Sequence, residues 1–155
     1  MNRIDSHNRG FTLVELVTVI LLLGILSAVA LPRFFDATDF TSRGFYDEVA
    51  GAARYAQKLA VASGCDVRLS ITSGSYALHQ RQSCVDHSSA FNRTVSQPAG
   101  SGAFAGSAPS GTTLSPSSLS IIFDALGRAT PGGVTVTIDG RSFTIVGESG
   151  YVDAS

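Results

Sequence analysis

The chain has almost no net charge. Its 155 residues carry 11 Lys or Arg against 12 Asp or Glu, a formal −1. That excludes a polycation, and with it strong nonspecific attraction to phosphate backbones. Arg81, Arg93, Arg128 and Arg141 are dispersed along the sequence and balanced by acids, so nucleic acid is not expected as a partner. Cysteine is scarce too, with only Cys65 and Cys84. His79, Asp86 and His87 cluster near Cys84, but the chain lacks a paired CxxC, and structural zinc normally closes with four ligands. No metal site is expected. The glycines between 100 and 106 miss the dinucleotide-binding spacing and follow no good strand. Gly147-Glu148-Ser149-Gly150 lacks the nucleophile-elbow pattern. Asp47 and Glu48 are adjacent, so on a helix they point to different parts of the surface and make no catalytic pair. Nothing here supports an enzyme or implies a cofactor.

What the chain does have is an apolar run from Phe11 to Leu31 with one carboxylate, Glu15, inside it. Such a run is long enough to span a bilayer, which needs about 20 apolar residues. A charge in hydrocarbon costs about 2.5–3.5 kcal/mol on insertion scales, so an intramembrane acid needs a partner and a reason. Cutting the chain between Gly10 and Phe11 would supply the partner. It creates a positive α-amine on Phe11, about 6 Å along a helix axis from Glu15. If subunits are staggered, the amine of one chain meets the carboxylate of the next. The penalty of the buried acid is then removed only on assembly, and the ion pair sets register. Arg3 and Arg9 precede the run, which predicts a cytoplasmic N-terminus and everything after Leu31 on the far side. Cys65 and Cys84 would then sit where disulfides persist. Ala28-Val29-Ala30 also reads as a secretory cleavage site. The run is longer than the roughly 7–15 residues of a signal core, however, and Glu15 would be a defect within it.

Gly10-Phe11-Thr12-Leu13-Val14-Glu15, the apolar stretch and Pro32 together resemble the leader of type IV pilins and type II secretion pseudopilins. The resemblance implies that a prepilin peptidase cuts after Gly10 and that Phe11 is N-methylated. It implies a single-pass inner-membrane protein, an inner-membrane assembly platform, and other pilins as partners through helix packing in a filament. Ile122-Phe123-Asp124-Ala125-Leu126-Gly127-Arg128 before a terminal hairpin resembles the GspH/FimT branch. Pro32-Arg33-Phe34-Phe35, residues 43–48 and residues 55–58 resemble minor pilins of the mannose-sensitive haemagglutinin (MSHA) type. The expected role is a minor pilin, with a secretion pseudopilin or an adhesion or DNA-binding minor pilin as alternatives.

The expected fold is α+β: a long N-terminal helix packed on an antiparallel sheet. Residues 1–10 are read as a leader, 11–31 as the membrane or filament-core helix, and 32–64 as its amphipathic continuation. Residues 65–155 form the sheet domain. Pro32 is expected to kink the helix. Phe45, Val49, Ala52, Ala56, Leu59 and Ser63 recur at helical spacing and face a core, while Asp47, Glu48, Arg54 and Lys58 mark the wet side. Gly64 stops the helix. Alternation at Val67, Leu69 and Ile71, then Tyr76 and Leu78, predicts a hairpin about Gly74. Cys65 and Cys84 lie almost symmetrically about that turn, so a disulfide between them is geometrically sensible. Residues 85–118 are read as one long loop. Residues 119–124 form a strand, 134–138 and 142–146 form a hairpin about Asp139-Gly140, and Tyr151-Val152 add a last short strand.

Overall fold

A computed structural model describes residues 11–100 and 102–154, and only the backbone of residues 28–38. Gly10 therefore lies outside the described residues. So does the Pro32 side chain, and the expected kink there remains an expectation. The helix α1 spans Leu13–Ser63. The chain divides into two compact units, Met1–Asp39 and Phe40–Ser155.

In the first unit every described residue of α1 up to Ser27 is exposed. Leu13 is 79% and Leu26 64% accessible. No helix among the described residues is long and apolar enough to cross a membrane. The apolar run continues past Ser27 into positions where only backbone is described.

The second unit holds the core. Phe45, Val49, Ala52, Ala53, Ala56 and Ala60 of α1 are buried, at the three- and four-residue spacing of one helix face. Leu59 is half-buried and Ser63 exposed. Gly64 then takes φ +64°, the left-handed stop a side chain would disfavour.

Ten strands follow among the described residues, and they make two antiparallel sheets where the sequence pattern suggested one. In the first, β1 (Val67–Ile71) pairs with β2 (Ser75–Gln80), with Leu69 opposite Leu78. The other edge of β1 pairs with β6 (Ser120–Phe123), which in turn pairs with β7 (Ala129–Thr130). The far edge of β2 takes two short strands, β3 (Arg93–Thr94) and β4 (Ala105–Ser107). The second sheet runs in the order β10-β9-β8-β5. It contains β5 (Leu114–Pro116), β8 (Val134–Ile138), β9 (Arg141–Ile145) and β10 (Val152–Ala154). The Asp139-Gly140 turn joins β8 to β9, with φ +46° and +80°, the positive pair a tight hairpin needs. A link between the sheets is the Ala129 N–H donated to the Gly147 carbonyl at 2.8 Å.

Residues 85–118 are thus not a single loop. Three short strands form there because isolated apolar residues find the core: Val95 is 5% and Leu114 4% accessible. Phe104 stacks on Tyr55 of α1 with centroids 4.9 Å apart. Strands of two or three residues are too short to show a period, so alternation could not reveal them.

Candidate assembly segment

Phe11 and Thr12 precede α1, and Thr12 opens it. Its hydroxyl oxygen accepts the Glu15 N–H at 3.2 Å, and its carbonyl accepts the Leu16 N–H at 3.1 Å. Thr12 is the N-cap and Glu15 the third residue of the helix. Thr-Leu-Val-Glu is therefore a capping-box sequence, a signal present in the chain but not part of the reading from sequence. A carboxylate in the first turn is also favoured by the helix dipole. Among the described residues no cation pairs with Glu15.

The polar residues of this segment hide their donors. Thr18 Oγ1 donates to the Val14 and Glu15 carbonyls at 2.9 Å each, and Ser27 Oγ donates to the Leu23 carbonyl at 2.7 Å. Hydroxyls turned back onto their own helix leave an outer surface of methyl and methylene groups. A contiguous apolar surface of this extent calls for cover by lipid or protein. Glu15 is then the one acid on an otherwise greasy rod.

In the second unit, Cys65 and Cys84 form a disulfide, with Cα atoms 4.5 Å apart. It joins the end of α1 to the chain leaving β2. Beside it, Asp66 and Arg81 make an ion pair at 2.7 Å, with side chains 8% and 14% accessible. Arg81 also donates to the Ser89 carbonyl at 2.6 Å. Its guanidinium lies 4.3 Å from the Phe91 ring centre, with Arg68 at 4.9 Å, so Phe91 is held by two cations. His87 Nδ1 lies 3.3 Å from Asp66 Oδ2. The disulfide occupies both sulfurs, so the zinc set considered around Cys84 cannot form. Asp86, exposed, accepts the Ser88 N–H and hydroxyl, which hold its carboxyl below the usual range. His79 sits in β2 opposite Thr94.

Glu48, assigned to the wet face, has an inward partner. The Tyr76 hydroxyl donates to its Oε1 at 2.6 Å. Burial, then the adjoining carboxylate, push the Tyr76 phenol well above its ordinary value. This contact ties α1 to β2, and β4 crosses it so closely that a side chain at Gly106 would strike both Glu48 and Tyr76. Two of the dispersed arginines are consumed in the fold, Arg81 on Asp66 and Arg128 on Asp124. Asp124 Oδ1 accepts the Leu126 and Arg128 N–H groups at 2.9 Å each, and its Oδ2 accepts Arg128 Nε at 2.8 Å. Burial pushes that carboxyl up, but these donors outweigh it and the net shift is downward. The motif resembling the GspH/FimT branch thus comprises the end of β6 and the self-bonded turn that follows it.

Residues 5–31 match the prokaryotic N-terminal methylation motif, and residues 46–150 match the family described as type II transport protein GspH. The chain belongs to the type IV pilin and pseudopilin family. Within it, this pilin is 48% identical over 52 residues to the type IV narrow pilus major component PilA5 of Thermus thermophilus. That stretch is 34% of this chain and 45% of the relative. It is 50% identical over 34 residues to the type IV major pilin protein PilA of Myxococcus xanthus, 22% of this chain and 16% of that one. The pilin thus spans less than half the length of these curated relatives. Its fold matches the crystal structure of the type IV minor pilin FimU of Pseudomonas aeruginosa with a TM-score of 0.50 at 13% identity. The match covers 70% of this chain and 88% of FimU, and at that identity it speaks to the α+β fold alone.

Proposed function

We propose that this chain is a minor pilin of an MSHA-like type IV pilus. The observation that carries the reading is an exposed apolar helix surface bearing one acid, Glu15, within residues 5–31 that match the N-terminal methylation motif. Prepilin peptidase cuts after Gly10 and Phe11 is methylated. Residues 11–31 hold the subunit in the inner membrane as a single pass, with the N-terminus cytoplasmic and the disulfide-bearing domain periplasmic. The subunit then leaves the membrane through the assembly platform, and the Phe11 amine of one copy meets Glu15 of a neighbour. Its role is structural and not enzymatic.

Intact mass and N-terminal sequencing of the membrane-extracted protein test the processing step. A chain beginning at methylated Phe11 is expected, and one beginning at Leu31 refutes it in favour of ordinary secretion. Glu15→Val is expected to give a stable, membrane-inserted subunit that does not enter pili. Normal assembly of that variant would sink the register role.

The GspH match over residues 46–150 favours a second reading, a pseudopilin serving type II secretion. Deleting the gene separates the two. Loss of piliation with intact protein secretion supports the first, and the reverse supports the second.

A further inference from the structure

Along α1, Arg54, Lys58 and Val61 fall at four- and three-residue spacing on the face turned away from the core. All three are exposed, Val61 at 53%. Beside them Gln57 reaches the turn between β9 and β10, donating its amide to the Ser149 carbonyl at 2.5 Å. A β-carbon added at Gly127 would lie 3.1 Å from Val61 Cγ2, and one at Gly150 would lie 3.2 Å from Gln57 Cγ. The turn following β6 and the turn between β9 and β10 therefore abut this stretch of the helix. Next to its glycine in contact, each carries a large exposed apolar residue, Leu126 at 75% and Tyr151 at 61% accessible. Val61, Leu126 and Tyr151 thus come from three separate segments that meet around one junction. Apolar side chains scattered singly need no cover, but a group of them rimmed by charge marks a protein contact.

The rim is split by sign. Arg54 and Lys58 stand on the helix side, and Glu148 and Asp153, both exposed, stand on the side of the β9–β10 turn. None of the four has an ion-pair partner among the described residues. Other charges nearby cancel. Asp124 is paired with Arg128, and Arg43 and Asp47, lower on the same helix stripe, are of opposite sign. Like charges four residues apart on a helix repel each other, so Arg54 and Lys58 gain from an acidic partner.

The line dividing the two signs runs along α1. A two-fold axis parallel to the helix lays the basic side of one copy on the acidic side of the other and brings the apolar centres together. An axis across the helix would lay cation on cation. The charges therefore select a pair whose α1 helices are parallel, with both Phe40 ends on the same side. Two chains anchored in one membrane can adopt it; that compatibility rests on the proposed anchoring, whereas the pairing itself does not.

We propose that this face binds a second copy of the chain as a two-fold pair, with Arg54 and Lys58 opposite Glu148 and Asp153 of the other copy around a centre of Val61, Leu126 and Tyr151. So few side chains fall short of the roughly 800 Å² per partner of a standard interface, so the pair is weak and gains from being concentrated in a membrane.

The test is self-association of the full chain in zwitterionic micelles, followed by sedimentation and amide-resolved NMR. Concentration-dependent shifts at Lys58, Leu126 and Tyr151 are expected, with a dissociation constant of about 0.1–1 mM that rises at least about threefold in high salt. Arg54→Glu with Lys58→Glu, and separately Glu148→Lys with Asp153→Lys, are all at exposed positions and should each weaken pairing about tenfold. An equal mixture of these two variants should restore it, because every charge then meets its opposite. Leu126→Ser should weaken pairing several-fold and leave its salt response unchanged. A chain that stays monomeric overturns the proposal and leaves this face to a different protein. A mixture no better than its components also overturns it, as does pairing indifferent to charge reversal, which would put the contact on the apolar segment Leu13–Ser27. Rescue by the mixture alongside failed N-terminal processing would keep this pairing and refute the proposed function instead.

Discussion

Reducing the Cys65–Cys84 disulfide should cost the sheet domain about 3 kcal/mol. The two residues are 19 positions apart, and the chain-entropy relation for a loop of that length gives about 11 cal/mol/K, or about 3.3 kcal/mol at 25 °C. Little enthalpy is expected to oppose this, because the open ends are already held together. Arg81 N–H bonds to the Asp66 carbonyl at 3.0 Å, and the Asp66–Arg81 ion pair sits beside it. The native state should survive reduction, with the loss arising in the unfolded ensemble. Urea unfolding of the full chain in micelles can be followed by tyrosine near-UV circular dichroism. There is no tryptophan, and all four tyrosines lie in Phe40–Ser155. With a urea slope of about 1.5 kcal/mol/M, the midpoint should fall by roughly 2 M on adding reductant, with an unchanged folded spectrum. Cys65→Ala with Cys84→Ala should lose slightly more, since Cys65 is fully buried and its sulfur leaves a gap. A midpoint shift below about 0.5 M would refute the reasoning and mean that the network around Asp66 already restrains the unfolded chain.

Thr12→Ala removes the N-cap of α1 and should cost the first turn about 1 kcal/mol, read as faster amide exchange at Leu13–Leu16 in micelles; unchanged exchange would mean the cap is dispensable. The raised Tyr76 phenol has its own pH signature. A folded-state pKa above the unfolded value contributes stability that is whole below pH about 10 and lost as pH climbs beyond it. The stability gap between wild type and Tyr76→Phe should therefore shrink above that pH, and a constant gap would rule this out. Gly150→Ala places a methyl against the Gly127 carbonyl oxygen, 3.2 Å from Phe123 and at φ +60°, for a loss of about 2–5 kcal/mol. Gly140→Ala, at φ +80° in open space, should lose only about 1 kcal/mol in the same melts, and equal losses would show that backbone strain alone governs both.

Much of the fold could be read from periodicity. The alternation of Val67, Leu69 and Ile71 predicts β1, and Asp139-Gly140 predicts the turn between β8 and β9. The helix face from Phe45 to Ala56 is buried as its spacing requires. Interactions between segments distant in sequence were not legible. Nothing in the local pattern says that Glu48 answers Tyr76, or that Phe91 is clasped by Arg68 and Arg81. Nor does it say that the strands divide between two sheets, or that Ala129 of one meets Gly147 beside the other. The cap at Thr12 is a different case: the four-residue signal is local, and Glu15 carries two roles at once, the acid in an apolar run and the third residue of the helix's first turn.

The inner face of α1 is built largely from alanine, with Ala52, Ala53, Ala56 and Ala60 fully buried. A surface of single methyls cannot be trimmed except to glycine, so nearly every substitution there adds bulk. Drift at these positions can push the rod outward but has almost no way to draw it closer. Compensation for such a change would have to come from shaving strand residues of the same core cluster, such as Leu69 or Ile121, making the helix the fixed template to which the sheets adjust.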